Sequence, residues 1–441
     1  MKLKKLSILE FDDFSNNHPL GSYHQSSNYA MFMSENGFDY ELIGLVDDNN
    51  KIVAASLILI KKMGLFLKYG YAPKGFLIDY ADTELLKKFC SLIKKRYYRK
   101  NLAFIKINPE IPIGTLKNNE IEYNDNKDLI KDLENIGFKK LIDNKLFESM
   151  LPRFNAFINL NDFTVEKADK RTRNKIRKSE KKGFSFIKGE RKDIETIYTF
   201  IKKKKNAPIE HYYNYYNAFS KNDNIDIFLV KLNFHDALIS TKKNYEKELE
   251  RNDILVSKFM KDNSQENLRK KMDSDHILDS LNNDISFITK CLGTKEEEYI
   301  AGAITIKYKN RVNILISGYS SKYKQFNPNH YLHNQLIEYY KYEYEFLDLN
   351  GITGDFTEKN PFKGLNDFKL GFNPIAFELI GELDFIINEG VYINMESNGL
   401  LAKEFDRTEL NKPTPKEVTP KVKPKKTEEK KPKKSFITIS K

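Results

Sequence analysis

The stretches Asn155-Ala156-Phe157-Ile158-Asn159-Leu160, Val165 to Lys182, Gly183 and Phe184-Ser185-Phe186-Ile187 read in order as strand, basic helix, helix stop and strand. Working outward, the same order of elements occurs earlier in the chain. Tyr40 to Val46 and Ile52 to Ile60 read as strands around the turn Asp47-Asp48-Asn49-Asn50, and Glu84 to Tyr98 reads as an amphipathic helix before the strand Leu102 to Ile107. The fold class is therefore α/β (α+β), with one unit over 1–150 and a second starting near Pro152. The repeated order suggests a structural duplication, although no residue-level repeat is visible.

Between His235 and Leu292 there is no Gly and no Pro, and the stretch is highly charged. Leu278, Leu281, Ile285, Ile288 and Leu292 step by three and four, and Tyr245, Leu249, Val256 and Phe259 mark a sparser stripe before the turn Asp262-Asn263-Ser264. Two helices pairing antiparallel are expected. Because the strand Ile225 to Leu232 precedes this arm and Tyr299 to Tyr308 follows it, the arm reads as an insertion into the second unit. After about Thr408, five prolines among lysines predict a disordered tail.

The formal charge of +12 is unevenly placed. Lys412 to Lys441 holds eleven Lys and three Glu, so +8 belongs to the tail and +4 to the remaining body. Within the body, Lys167 to Lys182 carries nine Lys or Arg against Asp169 and Glu180, and Lys202 to Lys205 adds four more. Local basic patches on a nearly balanced body point to a polyanion held at one place. The bland alternative is a solvated helix face in a lysine-rich chain.

Two cysteines, Cys90 and Cys291, exclude a disulfide framework or a thiolate-rich metal site and fit a reducing compartment. The longest apolar run, Ile52 to Ile60, is too short to span a bilayer, and acidic residues interrupt the start that Lys2, Lys4 and Lys5 would give a signal peptide. A cytoplasmic protein is expected. The seven histidines lack ligand spacing, so no metal is expected. No phosphate-cradling glycine loop occurs. An acyl-coenzyme A transferase would suit the element order, but its pyrophosphate turn would be Lys324 to Tyr331, which has no glycine and contains Pro328, a residue without an amide donor.

The segment Asp348 to Glu382 adds Gly351-Ile352-Thr353-Gly354-Asp355-Phe356, Asn360-Pro361, Phe368-Lys369 and Gly371-Phe372-Asn373. With His18 to Ser26, Tyr71-Ala72-Pro73-Lys74-Gly75, Asn108-Pro109-Glu110, Pro152 to Asn155 and Lys178 to Gly183, it resembles the FemABX family of peptidoglycan-bridge aminoacyltransferases, in shared order over about 380 residues. The resemblance implies two acetyltransferase-like (GNAT-like) subdomains, 1–150 and 151–407, without the coenzyme site. It also implies an antiparallel coiled-coil arm at 236–292 in the second, the mark of the family's armed branch, and a tail at 408–441.

The activity it implies is transfer of an amino acid, glycine by family majority, from aminoacyl-tRNA onto an amine of a peptidoglycan precursor or growing bridge. The ester is already activated, so no cofactor is needed. A lysine-type amine begins near pKa 10.4 and must lose a proton before attack, and a fixed cation would stabilise the developing oxyanion. Lys369 matches the family's Phe-Lys lysine and is the candidate for that contact, with Phe368 walling the pocket.

Tyr71, Lys74 and Asp355 are candidate precursor contacts. The armless branch has an arginine before Pro-Ile-Glu; here Ala207 precedes Pro208-Ile209-Glu210, with Lys205 and His211 as substitutes. Arg171, Arg173, Lys175, Arg177, Lys178, Lys181 and Lys182, together with the arm, are the candidate tRNA tracks, and the tail is a candidate contact for anionic membrane. The alternative is a non-catalytic tRNA- or membrane-binding module on the same scaffold. A coenzyme-dependent acetyl transfer ranks last.

Overall fold

Asp39–Val46 and Ile52–Met63 pair antiparallel around an Asx turn in which the Asp47 carboxylate accepts the amides of Asn49 and Lys51 at 2.9 and 2.8 Å. In this computed structural model, which describes residues 1–63, 67–203 and 207–401, the next strand, Leu67–Ala72, pairs antiparallel with Ile52–Met63. Helix Thr83–Tyr98, capped by the Asp82 carboxylate, then returns the chain to Leu102–Ile107, parallel to Leu67–Ala72. The second unit repeats this crossover. Glu297–Tyr308 pairs with Arg311–Tyr319, helix Pro328–Tyr340 crosses, and Phe346–Ile352 comes back parallel. There the parallel register covers only Arg311 to Asn313 against Phe346 to Asp348, and the strands part beyond it. The duplication suggested by the element order is present as topology: two GNAT-like subdomains.

The first sheet has seven strands and the second nine. They exchange strands in both directions. Leu383–Ile386, near the end of the described chain, lies between Leu102–Ile107 and Phe138–Lys140 in the first sheet. Pro112–Lys117 and Glu120–Tyr123 leave the first unit and extend the second sheet through Ile375–Leu379. A cut near residue 150 therefore divides the chain by sequence but does not divide the sheets. Apolar packing joins them too, because one core cluster includes Tyr29, Phe32 and Leu57 together with Ile197, Tyr215 and Ile304.

The arm consists of helices Phe234–Lys261 and Gln265–Leu292, inserted between strands Ile225–Asn233 and Glu297–Tyr308, which pair with each other. Joined by the turn at 262–264, the helices pack antiparallel, and across the seam Ser274 donates to Glu248 at 2.6 Å and Asn252 donates to Asp275 at 2.8 Å. The seam is more polar than the apolar stripe predicts. Leu249 is 42% exposed, while its neighbour Asn252 is buried, and a buried Asn pins register at some cost in stability.

The basic helix begins later than its charge pattern suggests. Val165–Lys167 is a single tight turn, and the α-helix runs Lys170–Glu180 because the Asp169 carboxylate caps the Thr172 amide at 2.6 Å. Gly183, at φ +67°, then supplies the left-handed stop. The tail from residue 408 lies outside the described residues.

Candidate active site

Helix Lys363–Leu370 places Phe368 and Lys369 beside the end of strand Phe346–Ile352. The loop before it is held by side-chain amides: Asn366 donates to the Thr353 carbonyl at 3.0 Å, and Asn360 donates to the Thr353 hydroxyl at 2.7 Å and to the Asp355 carbonyl at 2.5 Å. Lys369 is half-buried and its Nζ donates to the Gly351 carbonyl at 2.6 Å. The ring of Phe368 meets His330 and His333 edge-to-face at 5.0 and 4.8 Å, with Phe372 at 5.5 Å. Both histidines sit in the first two turns of helix Pro328–Tyr340. Burial, followed by the Lys175 charge, holds His330 down at about 3; burial, against the upward pull of the Asn329 carbonyl and with a smaller push from Lys369, holds His333 at about 4. Both are neutral at physiological pH, so they wall the Phe368 ring without adding charge beside Lys369.

The basic helix is pinned to the same place. The Asp169 amide donates to the Gly371 carbonyl at 2.9 Å, two residues after Lys369. A Cβ at Gly371 would lie 2.2 Å from the Thr172 hydroxyl, so this approach requires glycine. Thr172, Ile176 and Ser179 face inward against helix Pro328–Tyr340, while Arg171, Lys175, Arg177, Lys178 and Lys181 are exposed. Arg173 turns back to the Glu166 carbonyl at 2.7 Å. Lys182 departs from the outward track: it is buried and donates to Asp284 at 2.6 Å, which makes it an anchor for the root of the arm.

Three residues back along strand Phe346–Ile352, beyond a break in its register, Asp348 enters a second cluster between the two sheets. Arg311 donates to Glu110 at 2.7 Å, Lys74 lies 3.9 Å from the same carboxylate, and the Arg311 guanidinium covers the Phe157 ring at 4.8 Å. Asn108 accepts the Lys74 amide at 2.9 Å and meets the Tyr71 hydroxyl at 3.5 Å, so the Tyr71 to Lys74 turn is tied to this cluster. Burial pushes Asp348 up to about 6 against the pull of Arg311, with Glu110 adding to the rise. Burial also works against ionised Glu110, but Arg311 and Lys74 outweigh it and hold its pKa below the usual value. Burial lowers Lys74, partly offset by Glu110 and Asp348. His24, buried beside these cations, is held well below its ordinary pKa by burial first and then by Lys74 and Arg311. Two cations balanced by two carboxylates in a largely buried site can exchange a partner for the phosphate or carboxylate of a ligand.

Of the other expected precursor contacts, Asp355 accepts the Thr357 amide at 3.0 Å and shapes the loop before Lys369. His211 is packed in rings, with Phe32 at 5.3 Å and Tyr215 at 5.2 Å, and burial lowers its pKa. That stack leads through Phe219 and Tyr23 to His24, at the edge of the ion cluster. Lys205 lies outside the described residues. Sequence reasoning did not single out Arg311 and Asp348 as site residues. The one available signal was Asp348 at the head of the glycine-rich segment; nothing in the turn before Arg311 distinguishes it from an ordinary hairpin.

The doubled acetyltransferase-like scaffold with its inserted helical arm thus brings a helix-borne lysine to the end of a strand, with a cationic helix beside it. The chain belongs to the FemAB family, whose profile matches residues 6–397. It is 24% identical over 406 residues to the lipid II:glycine glycyltransferase of Staphylococcus epidermidis, covering 88% of this chain and 94% of that one. To the aminoacyltransferase FemA of the same species it is 25% identical over 418 residues, covering 89% and 97%. The crystal structure of FemX superposes with a TM-score of 0.71 at 20% identity, covering 90% of this chain and all of that one. Among the described residues no helix is long and apolar enough to cross a membrane.

Proposed function

We propose that this chain transfers an amino acid, glycine as in the named relative, from aminoacyl-tRNA to an amine of a lipid-linked peptidoglycan precursor during bridge formation. One observation carries the reading. Strand Phe346–Ile352 runs from the Lys74, Glu110, Arg311 and Asp348 cluster to the carbonyl that holds Lys369, beside the anchored start of the basic helix. An acceptor bound at the first place and an RNA end at the second bring nitrogen and ester carbon together. The amine lone pair attacks the ester carbonyl, the new C–N bond becomes an amide, and the ribose oxygen leaves with the proton the amine gives up. Lys369 stabilises the charge that develops on the carbonyl oxygen. Pro328, at the first helical position, offers no amide to a coenzyme pyrophosphate, which favours an RNA-borne donor over a thioester.

Purified protein incubated with a charged tRNA mixture and the precursor, followed by mass measurement of the precursor, tests this. A gain of one residue is expected, slowed about 10²- to 10³-fold in Lys369→Ala. An unchanged precursor with tRNA still bound would reduce the protein to a binding module.

A further inference from the structure

Charge is segregated along the arm. From Arg251 to Met272, the distal end, there are six basic residues against three acidic; over Phe234 to Glu250 and Asp273 to Leu292 there are four basic against eight acidic. The distal end is thus +3 and the root −4. Lys258, Lys261 and Arg269 are exposed, while Lys270 and Lys271 pair along their helix with Glu266 and Asp275. Large apolar side chains stand among these cations: Met260 is 78% exposed, Ile254 57% and Met272 49%. Exposed Ile239 and Leu249 lie in the acidic half, so exposure alone does not mark the tip. Its conjunction with positive charge does.

We propose that the distal end of the arm docks on the anionic face of a phospholipid bilayer. Apolar side chains interleaved with lysine are what an interfacial element needs: the cations meet headgroup phosphate and the hydrocarbon enters the acyl boundary. An RNA backbone would use the same cations but offers nothing to Met260 or Ile254. Each helix has 28 residues, about 42 Å long at 1.5 Å per residue, several times the Debye length of about 8 Å at physiological salt. The two halves therefore sense a charged surface separately. Such a surface attracts the tip and repels the root, and the arm meets it end-on. The proposal deepens the reading above, since a lipid-linked acceptor lies at that surface; its test uses no transfer activity and so fails or succeeds independently of it.

The full chain carrying Met260→Cys is labelled with an environment-sensitive fluorophore. Cys90 and Cys291 are 1% and 6% exposed and do not compete for the label. Vesicles of equal phosphatidylglycerol and phosphatidylcholine are expected to shift the emission to the blue and raise it severalfold, while phosphatidylcholine alone leaves it unchanged. A label at Glu246→Cys, in the acidic half, should not respond. Adding Lys258→Glu, Lys261→Glu and Arg269→Glu should abolish the shift at residue 260 with helix content unchanged, even if the chain still reaches the vesicles by another part. No shift on anionic vesicles overturns the proposal. So does a shift produced by tRNA alone, which would make the tip an RNA contact, or one that grows with protein concentration without vesicles, which would make it a contact between copies.

Discussion

Asp348 has no side-chain ion pair within 4 Å among the described residues and shares a largely buried site with two cations and a second carboxylate. Its ordinary pKa of 3.8 rises to about 6 on folding, so the native state binds this proton more tightly than the unfolded chain. The stabilisation that goes with the protonated form is complete below about pH 4 and is lost as pH rises through 6. At neutral pH the ionised group therefore costs about 3 kcal/mol. Asp348→Asn is neutral at every pH. It should be more stable than the parent at pH 7.5 by about 1–3 kcal/mol in urea denaturation, with the gap narrowing as pH falls through 6 and closing below about pH 4; a pH-independent gap would contradict this account. Phe368, Lys369, Tyr71 and Lys74 could be singled out in the sequence because they sit in short motifs. Arg311 was not, because its partner Glu110 is 201 residues away and a buried ion pair leaves no local pattern.

The basic helix shows what periodicity reads and what it misses. Thr172, Ile176 and Ser179 form a buried stripe at helical spacing, as amphipathic reasoning expects. Its start at Lys170 depends on the Asp169 cap, and its position depends on Gly371. Gly371→Ala puts a methyl group 2.2 Å from the Thr172 hydroxyl, so the helix start must shift. A loss of about 1–3 kcal/mol in urea denaturation is expected, together with slower transfer. Replacing exposed Arg171, Lys175 and Lys178 with alanine should lower the slope of log affinity for tRNA against log salt by about 2 to 3, with little change in melting temperature. A slope equal to the parent's would remove this helix from the RNA path. In the arm, the stripe Leu278 to Leu292 identified the second helix, whereas Leu249 misled for the first because Glu248 and Asn252 occupy the seam.

Across the whole molecule the two sheets hold each other's strands. Leu383–Ile386 completes the first sheet and Pro112–Tyr123 extends the second, so neither unit is finished without the other. Heating should give a single calorimetric transition with equal calorimetric and van't Hoff enthalpies. A chain stopped before Leu383 should lose protection from hydrogen exchange in Leu102–Ile107, more than 270 residues from the cut. Two separable transitions would show the exchange to be incidental.

The amino-acid sequence by itself determined the mixed α/β class, the inserted arm and the basic helix, and it singled out Phe368 and Lys369, because each is written in local periodicity, in turn residues or in a motif a few residues long. Only the tertiary structure decided which strands close which sheet, that Lys182 faces inward, and that Lys74, Glu110, Arg311 and Asp348 meet between the sheets. Those outcomes rest on burial and pairing between residues hundreds of positions apart, where the energy lies in contacts that no stretch of chain contains alone.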